Sequence, residues 1–416
     1  MLTFVSDLHL ADTNSRATID VPYLIDQLRV LTTNAQKKKI QDLKIVLLGD
    51  IFEILKSKRW LDDEVRPWEP CTTKHVTSVS SIFDSIIESN PLFFRGLQNL
   101  VTEFPFVRLH YVPGNHDLPL NTGMGVKARE RLTSALPLQL SDAQKFGNYL
   151  VDEAHGVIAR HGHEWDSSNR YSNRLSAIGD AIVIDLLLRL PIIVSKSMGI
   201  DVDDNRLAFL HELDNVRPQS PRVMAQWILK GLDNMSDCGP KGRKAIEGAC
   251  HEVAIHLKKA IESTRFESIE VGAWWLGFLT KLAPAILKHL GALTAARHLT
   301  MDDIEIVGPY REYAVNDFEL VSALDGDFRY VICGHTHSPQ LVPLDLVGQD
   351  QRARLYLNTG TWRRVHRFAS VASGANVNGA FARWDEECLI TIYNEGEQSL
   401  GLPAYEFSRI TRGSRI

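Results

Sequence analysis

Aspartate, asparagine and histidine side chains recur in short polar clusters along this sequence, each at the end of an apolar run. The residues concerned are Asp7, His9, Asp50, Asn115, His161, His335 and His337. Carboxylate, amide and imidazole groups together form the mixed oxygen and nitrogen ligand set that suits manganese, iron or zinc. The sequence therefore predicts a divalent-metal site in which thiolates play no part.

A pair of divalent ions would need one shared anionic ligand, because the two positive charges repel each other. Asp50, which follows the apolar run 45–48, is the candidate for that bridging position. Such a pair lowers the pKa of a shared water from about 15.7 towards about 7 and makes hydroxide available at neutral pH. We expect this hydroxide to attack phosphorus in line. An imidazole beside a carboxylate, as in His116 and Asp117, suits protonation of the leaving oxygen.

Short strands alternating with helices are the elements that must position these residues. Strands are predicted at 2–5, 45–48, 108–112, 156–160, 330–333 and 354–357, with two closing strands within 381–393. Residues 22–41 carry apolar positions at helical spacing between the first two strands. This order predicts a layered α/β core that carries its functional residues at the strand ends.

A long helical region interrupts this core. Helices are predicted at 178–194, 221–232, 244–263 and 271–293, and Pro191 is expected to kink or end the first. The expected organisation is a core in two parts, 1–165 and 310–416, with an all-helical lid domain at 166–309. Charged residues and a proline interrupt the apolar stretch 271–293, so it is a poor membrane span. Lid packing or a dimer interface is the preferred interpretation, and an acyl-binding or membrane-surface helix is the alternative.

Length, charge and cysteine content set further limits. The 416 residues leave room for a core and a second domain. The net charge of −5 gives no general attraction to nucleic acid, although residues 217–297 contain 12 basic and 7 acidic residues. Five cysteines without close spacing argue against a disulfide framework. The sequence begins directly with the first predicted strand, which favours a cytoplasmic protein.

Five sequence blocks in order resemble the signature of the calcineurin-like metallophosphoesterases. They are Asp7-Leu8-His9, Gly49-Asp50 with Glu53, Gly114-Asn115-His116-Asp117, His161-Gly162 and Gly334-His335-Thr336-His337. Any one block alone is a common coincidence, but their ordered combination after predicted strands is not. The resemblance covers about residues 1–165 and 310–395 and implies a four-layer α/β/β/α sandwich.

The same resemblance implies roles for individual residues. It implies that the first metal ion is bound by Asp7, His9, Asp50 and His337. The second ion would be bound by Asp50, Asn115, His161 and His335. It makes His116 the residue that contacts the phosphate and protonates the leaving oxygen, with Asp117 as its orienting partner. We expect Glu53 to support this group rather than to be a plain surface carboxylate. Two divalent ions are implied, with manganese expected first and iron or zinc as alternatives.

Within that superfamily, the sequence is similar to the UDP-diacylglucosamine pyrophosphohydrolases at residues 7–10, 49–53 and 358–362, and in having an insertion after the His-Gly block. Inserted helices in those enzymes form a lid over an acylated substrate. This chain has His116 where those enzymes have arginine, and its insertion is far longer. Lipid-linked pyrophosphate hydrolysis is therefore an alternative to hydrolysis of a phosphodiester or pyrophosphate bond in another small molecule. A nuclease and a non-catalytic scaffold are the remaining hypotheses.

An anionic substrate also needs recognition beyond the metals. Arg160, Asn169, Arg170 and Arg174 lie beside the His161 block, where guanidinium groups could clamp a second phosphate. His163 could bind the second metal ion in place of His161, support a ligand or contact the substrate. The expected partner is a phosphorylated small molecule or a lipid-linked substrate. A homodimer, and peripheral membrane contact through the lid, are open alternatives.

Overall fold

This computed structural model describes residues 1–12, 19–141, 144–171, 176–217, 221–234, 239–264, 328–347, 352–370 and 379–413, with positions 266, 273, 275–277 and 314. The strands are β1 (Leu2–Val5), β2 (Leu43–Leu48), β3 (Val107–Val112), β4 (Tyr149–Asp152), β5 (Val157–Arg160), β6 (Val216–Arg217), β7 (Tyr330–Cys333), β8 (Gln340–Val347), β9 (Arg352–Asn358), β10 (Arg364–Ser370), β11 (Gly379–Ile392) and β12 (Tyr405–Gly413). The α-helices are α1 (Val21–Lys37), α2 (Arg59–Asp62), α3 (Thr73–Ser89), α4 (Pro91–Glu103), α5 (Val126–Ala135), α6 (Ile178–Ala181), α7 (Arg189–Met198), α8 (Ala208–His211), α9 (Pro221–Asn234), α10 (Gly239–Ser263) and α11 (Glu395–Gln398).

The strands form two mixed sheets. The seven-stranded sheet has the spatial order β3-β2-β1-β11-β10-β6, with β12 paired along β11. Its strands β1, β2 and β3 are parallel, and the intervening helices α1, α3 and α4 provide the crossovers that parallel neighbours require. The five-stranded sheet has the order β4-β5-β7-β9-β8, with β5, β7 and β9 parallel. Together with the helices, the two sheets confirm the predicted α/β class.

Strand β2 is apolar throughout except at Lys44, because both of its faces are buried. Leu47 belongs to a core cluster that includes Phe83 of α3. Its neighbour Val46 belongs to a second cluster with Ile332 of the five-stranded sheet. The two sheets therefore pack face to face, and helices cover the other face of the seven-stranded sheet.

The region between the two parts of the core is largely helical where it is described. Helix α6, a π-helical stretch over Ile182–Leu188 and α7 follow one another directly. The expected end of this helix at Pro191 does not occur, since α7 continues to Met198. Proline lacks an N–H and crowds the carbonyl of the preceding turn. The wider π-helical turns directly before α7 accommodate this misfit.

Other differences from the sequence-based expectations concern strand pairing. One continuous strand, β11, covers residues 381–392 in place of the two predicted strands. Strand β6 lies within the predicted helical region but pairs with β10 of the core sheet. Predicted helices 221–232 and 244–263 fall within α9 and α10, whereas 271–293 lies outside the described residues apart from positions 273 and 275–277. Within the described part of the chain, no helix has the length and apolar character that crossing a bilayer requires.

Candidate metal centre

The polar clusters of the sequence meet at one edge of the two packed sheets. Asp7 and Asp50 follow the carboxyl ends of the parallel neighbours β1 and β2, and the Asp7 N–H donates to the Gly49 carbonyl at 3.1 Å. In the other sheet, His161 follows β5 and His335 follows β7, which are also parallel neighbours. Because carboxyl ends of parallel strands share an edge, residues far apart in sequence are brought together here.

The backbone at this edge is locally strained. Five of the site residues have φ in the left-handed region, with values of 54°, 48°, 52°, 68° and 52° for Asp7, His9, Asp50, His335 and His337. Residues other than glycine rarely adopt this conformation. Strained residues of this kind cluster at functional sites, which makes this edge the candidate site.

Asp7, His9 and His337 form the first ligand group, with their ligand atoms all within 4.8 Å of one another. His337 Nε2 lies 3.2 Å from Asp7 Oδ1 and 3.1 Å from His9 Nε2. Burial, reinforced by Arg363, lowers the pKa of His9 to about 4. Burial, reinforced by Arg217, also lowers the pKa of His337 well below its usual value. Both rings are therefore neutral at pH 7, which is the form that binds metals.

Asp50, His161 and His335 form the second ligand group, also within 4.8 Å. His161 Nε2 lies 3.1 Å from Asp50 Oδ2, and the same oxygen lies 3.8 Å from His9 Nε2 in the first group. Burial favours the protonated form of Asp50, but His161 and His116 outweigh burial and hold its pKa well below its usual range. Asp50 is thus a buried carboxylate between the two groups.

The side-chain oxygen of Asn115 adds an unused acceptor beside the second group. Asn115 is 2% exposed, and its Oδ1 has no hydrogen-bond partner among the described residues. Buried polar atoms are almost always bonded in folded proteins. An oxygen-binding cation would satisfy this atom, and the surrounding imidazoles and carboxylates fit such an ion. Buried histidine and aspartate clusters at this edge could therefore hold a metal ion.

Neighbouring groups orient the candidate ligands. His161 Nδ1 lies 3.0 Å from the Leu48 carbonyl, which fixes the proton on Nδ1 and leaves Nε2 for the centre. Glu53 is 2% exposed and lies 2.8 Å from both His9 Nδ1 and His116 Nδ1. Burial alone would lower the pKa of His116, but Glu53 and Asp50 outweigh it and raise the pKa to about 9. His116 is therefore protonated at neutral pH.

Asp117 does not take the place beside His116 that the sequence suggested. Its carboxylate accepts hydrogen bonds from the backbone N–H groups of Gly114 and Ile51, at 2.5 and 2.9 Å. Asp117 thereby fixes the loop that carries Asn115 and His116. Glu53 is the carboxylate that contacts the His116 ring, a contact that neighbouring positions in the sequence cannot reveal.

The residues expected to bind substrate are dispersed. Asn169 lines the cleft and accepts from Asn115 Nδ2 at 3.4 Å. His163 is buried 5.6 Å from the His161 ring, and burial lowers its pKa to about 4. Arg160 lies over the rings of Tyr149 and Trp165 and is absent from the cleft wall. Arg170 is half-buried outside that wall, and Arg174 lies outside the described residues.

Two arginines that the sequence did not single out as site residues line the cleft instead. Arg217 Nη2 donates to His337 Nδ1 at 2.7 Å, and Arg363 Nη2 donates to the Asp214 carboxylate at 3.1 Å. Since arginine can only donate, Nδ1 of His337 accepts and its Nε2 carries the ring proton. An ion bound through that Nε2 would require Arg217 to leave Nδ1. Arg217 has no motif around it, whereas Arg363 directly follows the recognised block 358–362.

The opposite wall of the cleft is apolar. The cleft encloses about 700 Å³, part of it open to solvent. Its apolar residues come from the helical region and are Ile182, Val183, Leu187, Met224 and Trp275. The candidate ligand residues thus share the cleft with an apolar surface.

Comparison with known proteins gives no match: no protein-family model fits the sequence, and no curated protein matches it. The fold and the site define a mixed α/β protein in which buried histidine and aspartate clusters could hold a metal ion.

Proposed function

We propose that this protein is a metal-dependent hydrolase of phosphoester bonds, acting on a phosphodiester or pyrophosphate bond. The position of Asp50 between two ligand groups carries this proposal, since a bridging carboxylate is what a pair of divalent ions requires. The proposed architecture is the four-layer sandwich of the calcineurin-like metallophosphoesterases, with residues 166–309 as a lid. The apolar wall that the helical region contributes to the cleft supports the lid assignment.

In the proposed centre, Asp7, His9 and His337 would hold one ion and Asn115, His161 and His335 would hold the other, with Asp50 contributing to both. Divalent ions, with manganese expected first, would supply an activated water and offset phosphate charge. The protein's own contribution is to fix the ligands. Asp117 and Glu53 do so through the backbone of the 114–117 loop and through the His9 ring.

His116 is the proposed proton donor to the leaving oxygen. Its imidazole lines the cleft, and the carboxylate of Glu53 keeps it charged at neutral pH. A general acid must carry its proton at the working pH, and must lie on the side where the leaving group departs. Glu53 therefore acts as the positioning residue for His116, the role that we first expected for Asp117.

Arg217 and Arg363 are the proposed anion-binding residues, in place of Arg160 and Arg170. Both line the cleft beside the ligand groups, and guanidinium groups bind phosphate oxygens through paired hydrogen bonds. Arg217 must leave Nδ1 before His337 can bind an ion through Nε2. Released in that way, Arg217 lies within the cleft where a phosphate would bind.

The decisive test compares wild type with Asp50→Asn. Wild-type protein loaded with manganese should hydrolyse bis-p-nitrophenyl phosphate, and Asp50→Asn should lose that activity and bound metal, measured by elemental analysis. Asp42→Asn, an exposed carboxylate paired with Arg108, is the matched control and should retain both. Unchanged turnover in Asp50→Asn would overturn the proposed ligand set.

Hydrolysis of a lipid-linked pyrophosphate is the second candidate, favoured by the apolar residues across the cleft. A screen of manganese-loaded protein against nucleotide pyrophosphates, cyclic and linear diesters, monoesters and UDP-linked lipids separates the two. Single-stranded DNA and RNA belong in the same screen, and absence of cleavage would remove the nuclease hypothesis.

A further inference from the structure

A second cavity lies next to the metal cleft. It encloses about 1600 Å³, part of it open to solvent, and shares Leu187 and Arg363 with the cleft wall. Lys56 and Lys58 of the core form one side, and Pro191 and other residues of the helical region form the opposite side. The two spaces are therefore adjacent, with the Leu187 and Arg363 side chains in the wall of both.

Asn215 lines this second cavity and has unused hydrogen-bonding capacity. Its side chain is 2% exposed, and neither Nδ2 nor Oδ1 has a hydrogen-bond partner among the described residues. Folded proteins rarely leave both ends of a buried amide unbonded. Ligand pockets are mostly apolar and carry a small number of polar groups that orient the ligand, and a ligand with a complementary edge would satisfy both ends of this amide.

The segment that carries Asn215 is firmly held. Asp214 accepts from Lys56 Nζ at 2.9 Å and from Arg363 Nη2 at 3.1 Å, on one side of Asn215. On the other side, Arg217 bonds to His337 and pairs in register with Arg367 of β10. One short segment therefore contributes Arg217 to the metal cleft and Asn215 to the neighbouring cavity.

The amide of Asn215 presents one donor and one acceptor side by side. The matching chemistry is an amide or lactam edge, which offers an acceptor beside a donor. Apolar residues of the same cavity, including Leu188, Pro191 and Ile192, would pack against the body of such a group. Arg363 stands between this space and the metal site, where a phosphate linking the two parts would lie.

We propose that the Asn215 cavity is a substrate subsite for a group bearing an amide or lactam edge, joined to the phosphate that is cleaved at the metal site. This inference rests on the proposed phosphoesterase function. It makes Asn215 a specificity-determining residue that contacts substrate away from the reacting phosphorus.

The first experiment compares three chromogenic phosphodiesters. The p-nitrophenyl ester of thymidine 5′-monophosphate offers a lactam edge, the p-nitrophenyl phosphodiester of N-acetylethanolamine offers a simple amide, and bis-p-nitrophenyl phosphate offers neither. For each amide-bearing substrate, the specificity ratio is its kcat/KM divided by that of bis-p-nitrophenyl phosphate. In Asn215→Leu, one of the two ratios should fall about tenfold or more, because the site loses a hydrogen-bonding partner for the substrate. The ratio that falls shows whether the subsite binds a lactam or a simple amide. Unchanged ratios for both would overturn the subsite.

A second measurement separates this inference from the proposed function. Titration calorimetry of metal-free protein with thymidine 5′-monophosphate and with N-acetylethanolamine phosphate reports binding without turnover. Wild type should bind one of them about tenfold more tightly than Asn215→Leu does. That result would support the subsite even if no phosphodiester were cleaved, and equal binding to both proteins would refute it even if bis-p-nitrophenyl phosphate were cleaved.

Two further variants guard against loss of structure. Asn205→Leu changes an exposed asparagine of the same region outside the cavity wall, and it should leave the substrate ratios at wild-type values. Asn215→Asp keeps the side-chain shape but replaces the donor with an acceptor, so it should lower the same kcat/KM ratio. This variant keeps the test available if Asn215→Leu does not fold. A wild-type ratio in Asn215→Asp would refute the proposed hydrogen bond.

Discussion

Replacing Asp214 with asparagine tests the charge cluster that joins the helical region to the core. The Asp214 carboxylate binds both Lys56 and Arg363, and the three side chains are 9%, 10% and 7% exposed. At an effective dielectric constant of about 20, each contact near 3 Å contributes about 5 kcal/mol of attraction, most of which offsets the cost of burying the charges. Asp214→Asn leaves two buried cations without their shared anion. Removing one partner from a buried ion pair costs about 3–5 kcal/mol, which is the expected loss in free energy of unfolding.

The stabilisation by the Asp214 carboxylate should depend on pH in a defined direction. Burial favours protonated Asp214, but Lys56 and Arg363 outweigh burial and hold its pKa well below the usual range. A lowered carboxyl pKa contributes stability that is complete above the unfolded-state pKa of about 3.9 and is lost as the pH falls towards the folded-state value. The difference in stability between wild type and Asp214→Asn should therefore be constant from pH 8 to about pH 4 and shrink below it.

Urea titration followed by circular dichroism measures both quantities. The control is Asp42→Asn, whose partner Arg108 lies on the surface, with the two side chains 48% and 66% exposed. Exposed pairs contribute less than about 1 kcal/mol. If Asp214→Asn costs no more than this control, or if its cost does not change below pH 4, the assignment of a buried stabilising cluster is wrong.

Three further predictions concern the metal centre. Gly114→Ala should abolish tight metal binding, measured by calorimetry with Mn²⁺, because a Cβ there would lie 2.2 Å from a carboxylate oxygen of Asp50. The control Gly248→Ala, with open space around it in α10, should bind metal normally and gain about 0.5–1 kcal/mol of stability. Glu53→Gln should lower the pKa of His116 from about 9, because Glu53 is the strongest influence that raises it. NMR titration of metal-free protein measures this pKa, and an unchanged value would contradict the prediction. Arg217→Gln should raise KM for bis-p-nitrophenyl phosphate about tenfold, the effect of losing a charge-assisted hydrogen bond, and an unchanged KM would exclude Arg217 from anion binding.

The strands that carry the site could be predicted because their signal is local. Continuous apolar runs such as 45–48 reflect burial on both faces, and the polar residues directly after them are fixed by the chain itself. The closeness of Asp7 to Asp50, and of His161 to His335, then follows from parallel neighbours of one sheet ending at a shared edge, whereas the meeting of the two pairs depends on how the two sheets pack. The five ordered blocks contain the residues of both candidate ligand groups.

The features of the fold and the site that could not be predicted from the sequence depend on contacts between distant segments. Two strands were predicted within 381–393, yet β11 continues through Glu386, which is fully buried and paired with Arg409 of the neighbouring β12. Arg217 reaches the cleft only because β6 pairs with β10, about 150 residues away in the chain. Likewise, Glu53 rather than Asp117 contacts His116, since the choice depends on how two loops pack.

The two-residue strand β6 limits how the cleft can open. Residues 214–217 are anchored to the core by the Asp214 cluster and by pairing with β10, two contacts that do not depend on the bond from Arg217 to His337. A hinge motion that lifted this segment would pull an arginine and an aspartate away from the metal site, so the open form would be electrostatically incomplete. Helix α9 (Pro221–Asn234) extends this anchored surface, because the Trp227 ring packs against His366 of β10 and Phe381 of β11, with ring centroids 4.4 and 5.0 Å apart. Residues 214–217 would therefore be a fixed wall of the cleft, and any closure of the cleft would come from other elements.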